Sequence, residues 1–239
     1  EDIHVAKKHV KKSSCLNEEI DMNYEMMNNN KVFLLGKIET EPVFSHETFG
    51  EAFYEMQMSV PRLSEHNDLI PITVSEKLLT NNKFDVGNKV AIKGQFRSYN
   101  KLVDGASKLV LTVFVREIIE VDESMNPNII EIVGYVCKPP IYRTTPFKRE
   151  ICDVLVAVNR AYNKSDYLPC IAWGRNAKYI KDAEVGTQIS IVGRIQSRDY
   201  QKKLSETETV TKTAYEISVS KIQINGEEIE TENEDETAI

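Results

Sequence analysis

Asn30-Lys31-Val32-Phe33-Leu34-Leu35-Gly36-Lys37-Ile38-Glu39-Thr40-Glu41-Pro42-Val43-Phe44 and Asn128-Ile129-Ile130-Glu131-Ile132-Val133-Gly134-Tyr135-Val136-Cys137-Lys138-Pro139-Pro140-Ile141-Tyr142 are two versions of one stretch. An Asn opens each, Gly36 answers Gly134, and Pro42 answers Pro140. The same spacing relates Val60 to Val158, Arg62 to Arg160, Asp68 to Asp166 and Pro71 to Pro169. After a slip of one residue, Val86-Gly87 matches Val185-Gly186 and Gly94 matches Gly193. A spacing held at about 100 residues is that of a duplicated domain, because solenoids repeat every ~20–50 residues. The functional question is therefore what one unit does, and why the chain carries two.

The 239 residues accommodate two units of ordinary domain size, and 41% hydrophobic residues suit two small cores. No apolar run approaches the ~20 residues of a membrane-spanning helix. Lys7, Lys8, Lys11 and Lys12 lead into polar residues and not into a signal-peptide core. The expectation is a soluble, cytoplasmic protein without a membrane partner. Cys15, Cys137, Cys152 and Cys170 show no CxxC spacing, and the last three sit in apolar runs, so they read as small buried thiols and no metal is expected. His4, His9, His46 and His66 are scattered and suggest no chemistry. The net charge of -7 hides a division. The second repeat has more Lys and Arg than Asp and Glu, whereas the last residues are strongly acidic. A polyanionic partner is permitted for the second repeat.

Residues 1–29 read as a polar extension, of which the first 26 are expected to be dispensable for folding. Residues 30–124 and 125–225 are the two repeats, and 226–239 an acidic tail. Each repeat offers a first strand with an internal Gly that suggests a bulge or bend (Val32–Ile38; Ile129–Val136). A Pro breaks it. An alternating strand follows (Tyr54–Val60; Ile151–Val158), then a polar loop and a third strand (Leu69–Val74; Tyr167–Trp173). A short helical segment (Ser75–Thr80; Arg175–Ala183) leads to a long fourth strand (Lys89–Tyr99; Gln188–Tyr200) and a fifth (Leu109–Ile119; Ala214–Ile224). Five strands with a short helix between the third and fourth is the layout of an OB-fold, a Greek-key barrel. The fold class is thus all-β with short helices, as two tandem OB-folds.

In the second repeat, the strand from Tyr167 to Trp173 separates into two faces by alternation. Leu168, Cys170 and Ala172 are small and apolar, as a core requires, while Tyr167, Pro169, Ile171 and Trp173 share the other face. The two terminal rings stand roughly 20 Å apart along an extended strand, a span of several nucleotides. Cations surround them: Arg160 and Lys164 flank Tyr162, Arg175 follows Trp173, and Arg194, Arg198, Lys202 and Lys203 accompany Tyr200. Rings that stack on bases, interleaved with cations that follow phosphates, make a single-strand binding surface. The alternative is that the rings are core, with Trp173 the one most exposed to that objection. Tyr142 and Tyr215 read as packing residues, and Lys148, Arg149 and Lys181 as solvated charge.

These residues resemble the bacterial single-stranded DNA-binding protein family. The carriers are Asn128–Gly134 with Pro140, Val156–Arg160, Asp166–Gly174 and Gly193–Tyr200. The resemblance implies an OB-fold that binds single-stranded DNA without sequence preference in replication, repair and recombination, with Tyr162, Tyr167, Trp173 and Tyr200 at the family's stacking positions. The first repeat keeps Asn30–Gly36, Pro42, Arg62, Gly94 and Arg97-Ser98-Tyr99, but has Leu69 in place of Tyr167 and Ser75 in place of Trp173. It reads as a weaker binding domain or one kept for assembly. Phe96, Arg97 and Tyr99, with Lys77, Lys93 and Lys101, are its candidate contacts. The family presents four OB-folds together, which implies a homodimer here. The family's acidic tip closes with Pro-Phe and recruits partners; this chain ends Thr237-Ala238-Ile239, so recruitment of replication or repair proteins through it is open.

Two other functions remain open. One is an OB-fold adaptor that binds mainly proteins. The other is an enzyme, but Asp153, Asp166, Asp182 and Asp199 have no catalytic spacing. No cofactor is expected, and RNA as the ligand stays open.

Overall fold

A computed structural model describes residues 28–226 apart from 63, 65, 81–82, 104 and 204–208. The expected N-terminal extension and acidic tail fall almost wholly outside the described residues, as does Cys15. The first repeat comprises β1 (Asn30–Ile38), β2 (Val43–Thr48), β3 (Glu51–Pro61), β4 (Asn67–Ser75), α1 (Glu76–Leu79), β5 (Lys89–Val103) and β6 (Ala106–Ile119). The second comprises β7 (Asn128–Val136), β8 (Ile141–Thr144), β9 (Glu150–Arg160), β10 (Lys164–Trp173), α2 (Gly174–Ile180), β11 (Gln188–Lys203) and β12 (Thr209–Ile224).

Each repeat closes on itself. β1 pairs with β3 and β5, β5 with β6, and β3 with β4; the parallel pair β4–β6 completes the ring. The second repeat repeats this closure with β7, β9, β10, β12 and β11. These are two five-stranded OB barrels, as the element order predicts. Alternation fills their interiors: Met56, Met58 and Val60 of β3 and Leu168, Cys170 and Ala172 of β10 are all buried in the core. No helix among the described residues is long and apolar enough to cross a membrane.

The short strands β2 and β8 are additional to the expected five. They form hairpins with β3 and β9, turning at Phe49-Gly50 and at Lys148, where φ is positive. Almost every residue on both is exposed. They carry no alternation of apolar and polar positions, which is why the pattern did not announce them. The bulge expected in the first strand lies elsewhere. The ladder shifts register at Lys93/Gly94 and at Val192/Gly193, in the fourth strand. Gly36 and Gly134 serve a close crossing: a Cβ there would collide with the Ser59 and Ala157 carbonyl oxygens respectively.

The two barrels are joined by antiparallel pairing of β1 with β7, and Val32 faces Ile130, its own counterpart in the repeat. The joint is therefore a pseudo-two-fold axis within one continuous twelve-stranded sheet. Asn30 and Asn128 anchor it alike. The Asn30 amide donates to the Phe96 carbonyl (2.7 Å) and accepts from its N–H (2.9 Å), and Asn128 does the same with Ile195 at the same distances.

A pair of buried aspartates latches each barrel to the other. Asp68 accepts from Arg62 of its own barrel and reaches across to Arg194 Nη1 (3.0 Å) and to the N–H (2.6 Å) and hydroxyl (3.2 Å) of Ser197. Asp166, its counterpart, reaches back to the Ser98 N–H (2.7 Å), but Arg160 Nε stands 3.4 Å from its Oδ2 and makes no hydrogen bond to it. Burial raises the Asp166 carboxyl above its ordinary value, against the lowering effects of the Ser98 N–H, Arg160 and Arg97.

The two latches should respond differently to substitution. Asp68→Ala strands two guanidiniums and is expected to cost ~3 kcal/mol in urea unfolding, whereas Asp166→Asn should cost ~1 kcal/mol. A raised folded pKa means that the Asp166 contribution is fully present below its ordinary 3.8 and is lost as pH rises through the raised value. Asp166→Asn, fixed neutral, should therefore gain on the wild type as pH rises from about 4 towards neutrality.

Candidate nucleic-acid interface

The second barrel carries the aromatic face that alternation predicts. Tyr167 and Trp173 of β10 are 46% and 37% exposed, while Leu168, Cys170 and Ala172 between them point into the core. Ile171, on the same outer face as the rings, is covered but lies outside the core cluster. Trp173 caps the start of α2 in extended backbone, and the positive φ of Gly174 makes the turn that leaves the ring at the strand end. Arg175 follows, exposed on the first turn of α2.

The remaining predicted residues divide into three groups. Tyr162 stands almost fully exposed at the β9–β10 turn, with positive φ, and Lys164 opens β10 beside it. Tyr200 (39% exposed) and Arg198 lie on β11, where Arg198 is 3.6 Å from Glu216 and half free. Lys202 and Lys203 are on β11 too, but their side chains fall outside the described residues. Arg160 and Arg194 belong to the joint between barrels: Arg160 faces Asp166, and Arg194 is committed to Asp68 and Gln196. Arg194, expected to contact a ligand, is partly exposed and has this structural role in the joint.

In the first barrel Phe96 is fully enclosed and belongs to the core. It cannot act as a contact. Side chains alternate along β5, so Phe96 turns inward where Arg97 and Tyr99, at odd positions, turn out. Tyr99 is 37% exposed and donates to Glu55 Oε1 (2.8 Å); burial, with the Glu55 carboxylate, pushes its hydroxyl up to about 12. The Arg97 guanidinium lies 4.3 Å over the Phe114 ring and donates to Gln95 Oε1 (2.8 Å). Burial, reinforced by Arg116 and Arg160, lowers it to about 10. Neither Leu69 nor Ser75 supplies a ring on β4.

Exposed aromatics missed from the sequence stand on the added hairpins. Phe44 and Phe49 lie on and after β2, and Tyr142 and Phe147 on and after β8. Phe49 and Phe147 are the most exposed of these, and they occupy equivalent positions in the two repeats. The repeat was the signal that could have found them. Tyr142, read as packing, is instead on the surface, where its hydroxyl donates to Glu150 (2.7 Å) and Lys181 approaches its ring. Tyr215 does pack against the core. Cys152 and Cys170 are buried, and burial raises both thiols, Cys152 to about 11. Among the described residues no three His, Cys, Asp or Glu groups are close enough to hold a metal ion.

The single-strand binding protein family model matches residues 127–225, the second barrel. Single-stranded DNA-binding protein 1 of Lactococcus lactis is 31% identical over 107 residues, covering 40% of this chain and 71% of that protein. Single-stranded DNA-binding protein 1 of Staphylococcus aureus is 28% identical over 110 residues, covering 41% of this chain and 66% of its own. Among solved structures, the wild-type single-stranded DNA binding protein from Thermus aquaticus superposes with a TM-score of 0.62 at 16% identity, over 82% of this chain and 92% of that one. That likeness spans both barrels and concerns the fold. With the sequence relationship concentrated in the second repeat and its aromatic strand, the chain belongs to the single-strand binding protein family.

Proposed function

We propose that this chain binds single-stranded DNA without sequence preference and protects it during replication, repair or recombination. The observation that carries the reading is the outer face of β10, where Tyr167 and Trp173 present rings to solvent while the alternate residues fill the core. Every base has a π-face, so exposed rings stack on any sequence, and cations nearby neutralise phosphates. Arg175, Lys164 and Arg198 supply that charge from three elements. No step of bond making or breaking is involved; the protein acts as a binder and not as an enzyme. Tyr162, with its free ring at the β9–β10 turn, and Tyr200 on β11 extend the surface.

The second barrel makes the principal contacts and the first contributes less, since Leu69 and Ser75 replace the two rings. Two chains would together present four barrels, and a homodimer is the expected assembly. An adaptor that mainly binds proteins is the second reading. It draws on the acidic balance of the whole chain and on the ring-poor β4.

Trp173→Ala and Tyr167→Ala should each weaken binding of a labelled oligo-dT by ~1–3 kcal/mol in anisotropy titrations, with the thermal unfolding midpoint nearly unchanged. With six phosphates neutralised, the logarithm of the affinity should fall against the logarithm of salt with a slope of about -4. An oligonucleotide affinity absent even at low salt would favour the adaptor. Sedimentation of the free protein at twice the chain mass would support the dimer, and a monomer would refute it.

A further inference from the structure

The first barrel lacks the family's rings on β4, yet it has an aromatic platform of its own one strand away. Phe53 of β3 lies opposite Ser75 in the ladder. His46 stacks parallel to it with centroids 5.0 Å apart, and Phe114 of β6 follows at 5.4 Å. The second barrel has Ile151 where the first has Phe53, and Ser218 where it has Phe114, as the matching ladder registers show. The platform is thus particular to the first repeat.

Three guanidiniums converge beside it. Arg97 lies 4.3 Å and Arg116 5.1 Å from the Phe114 centroid, and Gln95 Oε1 accepts from both (2.8 and 3.3 Å). Arg160 comes from the second barrel and lines the same open groove of about 370 Å3, together with His46, Tyr99, Lys101 and Phe114. Two carboxylates lie near these cations: Asp166, which is held by the Ser98 N–H and makes no hydrogen bond to the guanidiniums, and Glu55, whose Oε1 accepts from the Ser45 and Tyr99 hydroxyls. Arg97 Nε and Arg160 Nε have no hydrogen-bond partner among the described residues. Mutual repulsion of Arg97 with Arg116 and Arg160 lowers the Arg97 proton affinity, after burial. Such a cluster is stabilised by an anion.

The groove adjoins β10 across the joint. Ser98 lines it, and the Ser98 hydroxyl accepts the N–H of Tyr167 at 2.7 Å. A strand lying on Tyr167 therefore has the cationic groove as its next neighbour across the joint.

We propose that this groove is a nucleotide subsite that carries single-stranded DNA from the second barrel onto the first. A base stacks against the exposed His46 of the His46–Phe53 pair, and a backbone phosphate is held by Arg97 and Arg160, with Arg116 adding positive charge next to the Phe114 ring. The subsite rests on the single-strand binding reading above, but it uses residues that reading does not need.

The test titrates the full chain with labelled oligo-dT of increasing length, using Arg116→Ser and His46→Ala. Both residues are exposed, so the variants should fold, and thermal unfolding checks this. In the wild type, affinity should rise once the oligonucleotide is long enough to cross the joint. Arg116→Ser should lose most of that rise and reduce the salt slope for long oligonucleotides by about 0.7. His46→Ala should lower long-oligonucleotide affinity about 5-fold or more. Short oligonucleotides, held by Tyr167 and Trp173, should bind both variants as they bind the wild type. Unchanged length dependence and slope in both variants, with wild-type binding intact, would overturn the subsite and leave the general function standing. Absence of binding by the wild type would overturn both.

Discussion

The pairing of β1 with β7 is the constraint on which the molecule depends. Each strand already belongs to its own barrel, through β3 and β5 or through β9 and β11, so their mutual ladder fixes two closed barrels rigidly edge to edge. Because Val32 meets its own counterpart Ile130, everything placed near the axis occurs twice with opposite sense. The Asn30 and Asn128 brackets, the Ser98 and Ser197 hydroxyls and the two aspartates are all products of that symmetry. An antiparallel joint also leaves no open edge on β1 or β7.

Duplication then allowed the halves to diverge. In β5 the order is Gln95 then Arg97; in β11 it is Arg194 then Gln196. The exchange changes what each guanidinium can reach. Arg194 crosses to Asp68 and completes a tight latch, whereas Arg97 turns over Phe114 and leaves one Asp166 oxygen without a hydrogen bond among the described residues. The looser side of the joint is the side on which the cationic groove lies. Stability concentrates on one side of the axis and an accessible charge cluster on the other. The aromatic surface diverged as well: rings sit on β10 in the second barrel and on β2, β3 and β6 in the first.

Much of this was legible in the residues, and for definable reasons. The duplication, the five core strands and the outward rings at Tyr167 and Trp173 follow from periodicity, since one face of each barrel strand must be apolar. Strand parity also holds the reason why Phe96 is enclosed and Tyr99 reaches the surface, because three residues apart on a strand means opposite faces. What was hidden had no local signature. Hairpins exposed on both faces, such as β2 and β8, carry no alternation. The fate of Arg194 depended on a carboxylate 126 positions away in sequence. The groove required residues from β2, β5, β6 and the other barrel to meet, which only closure of both barrels and their joint could arrange.

Trp173 is the single tryptophan and lies at the end of the aromatic strand, so its intrinsic fluorescence reports on the proposed surface directly. The decisive measurement is a titration of that fluorescence with long oligo-dT at low and high salt. The account predicts strong quenching, with an affinity that falls steeply as salt rises. Unaltered fluorescence with no binding at low salt would contradict it.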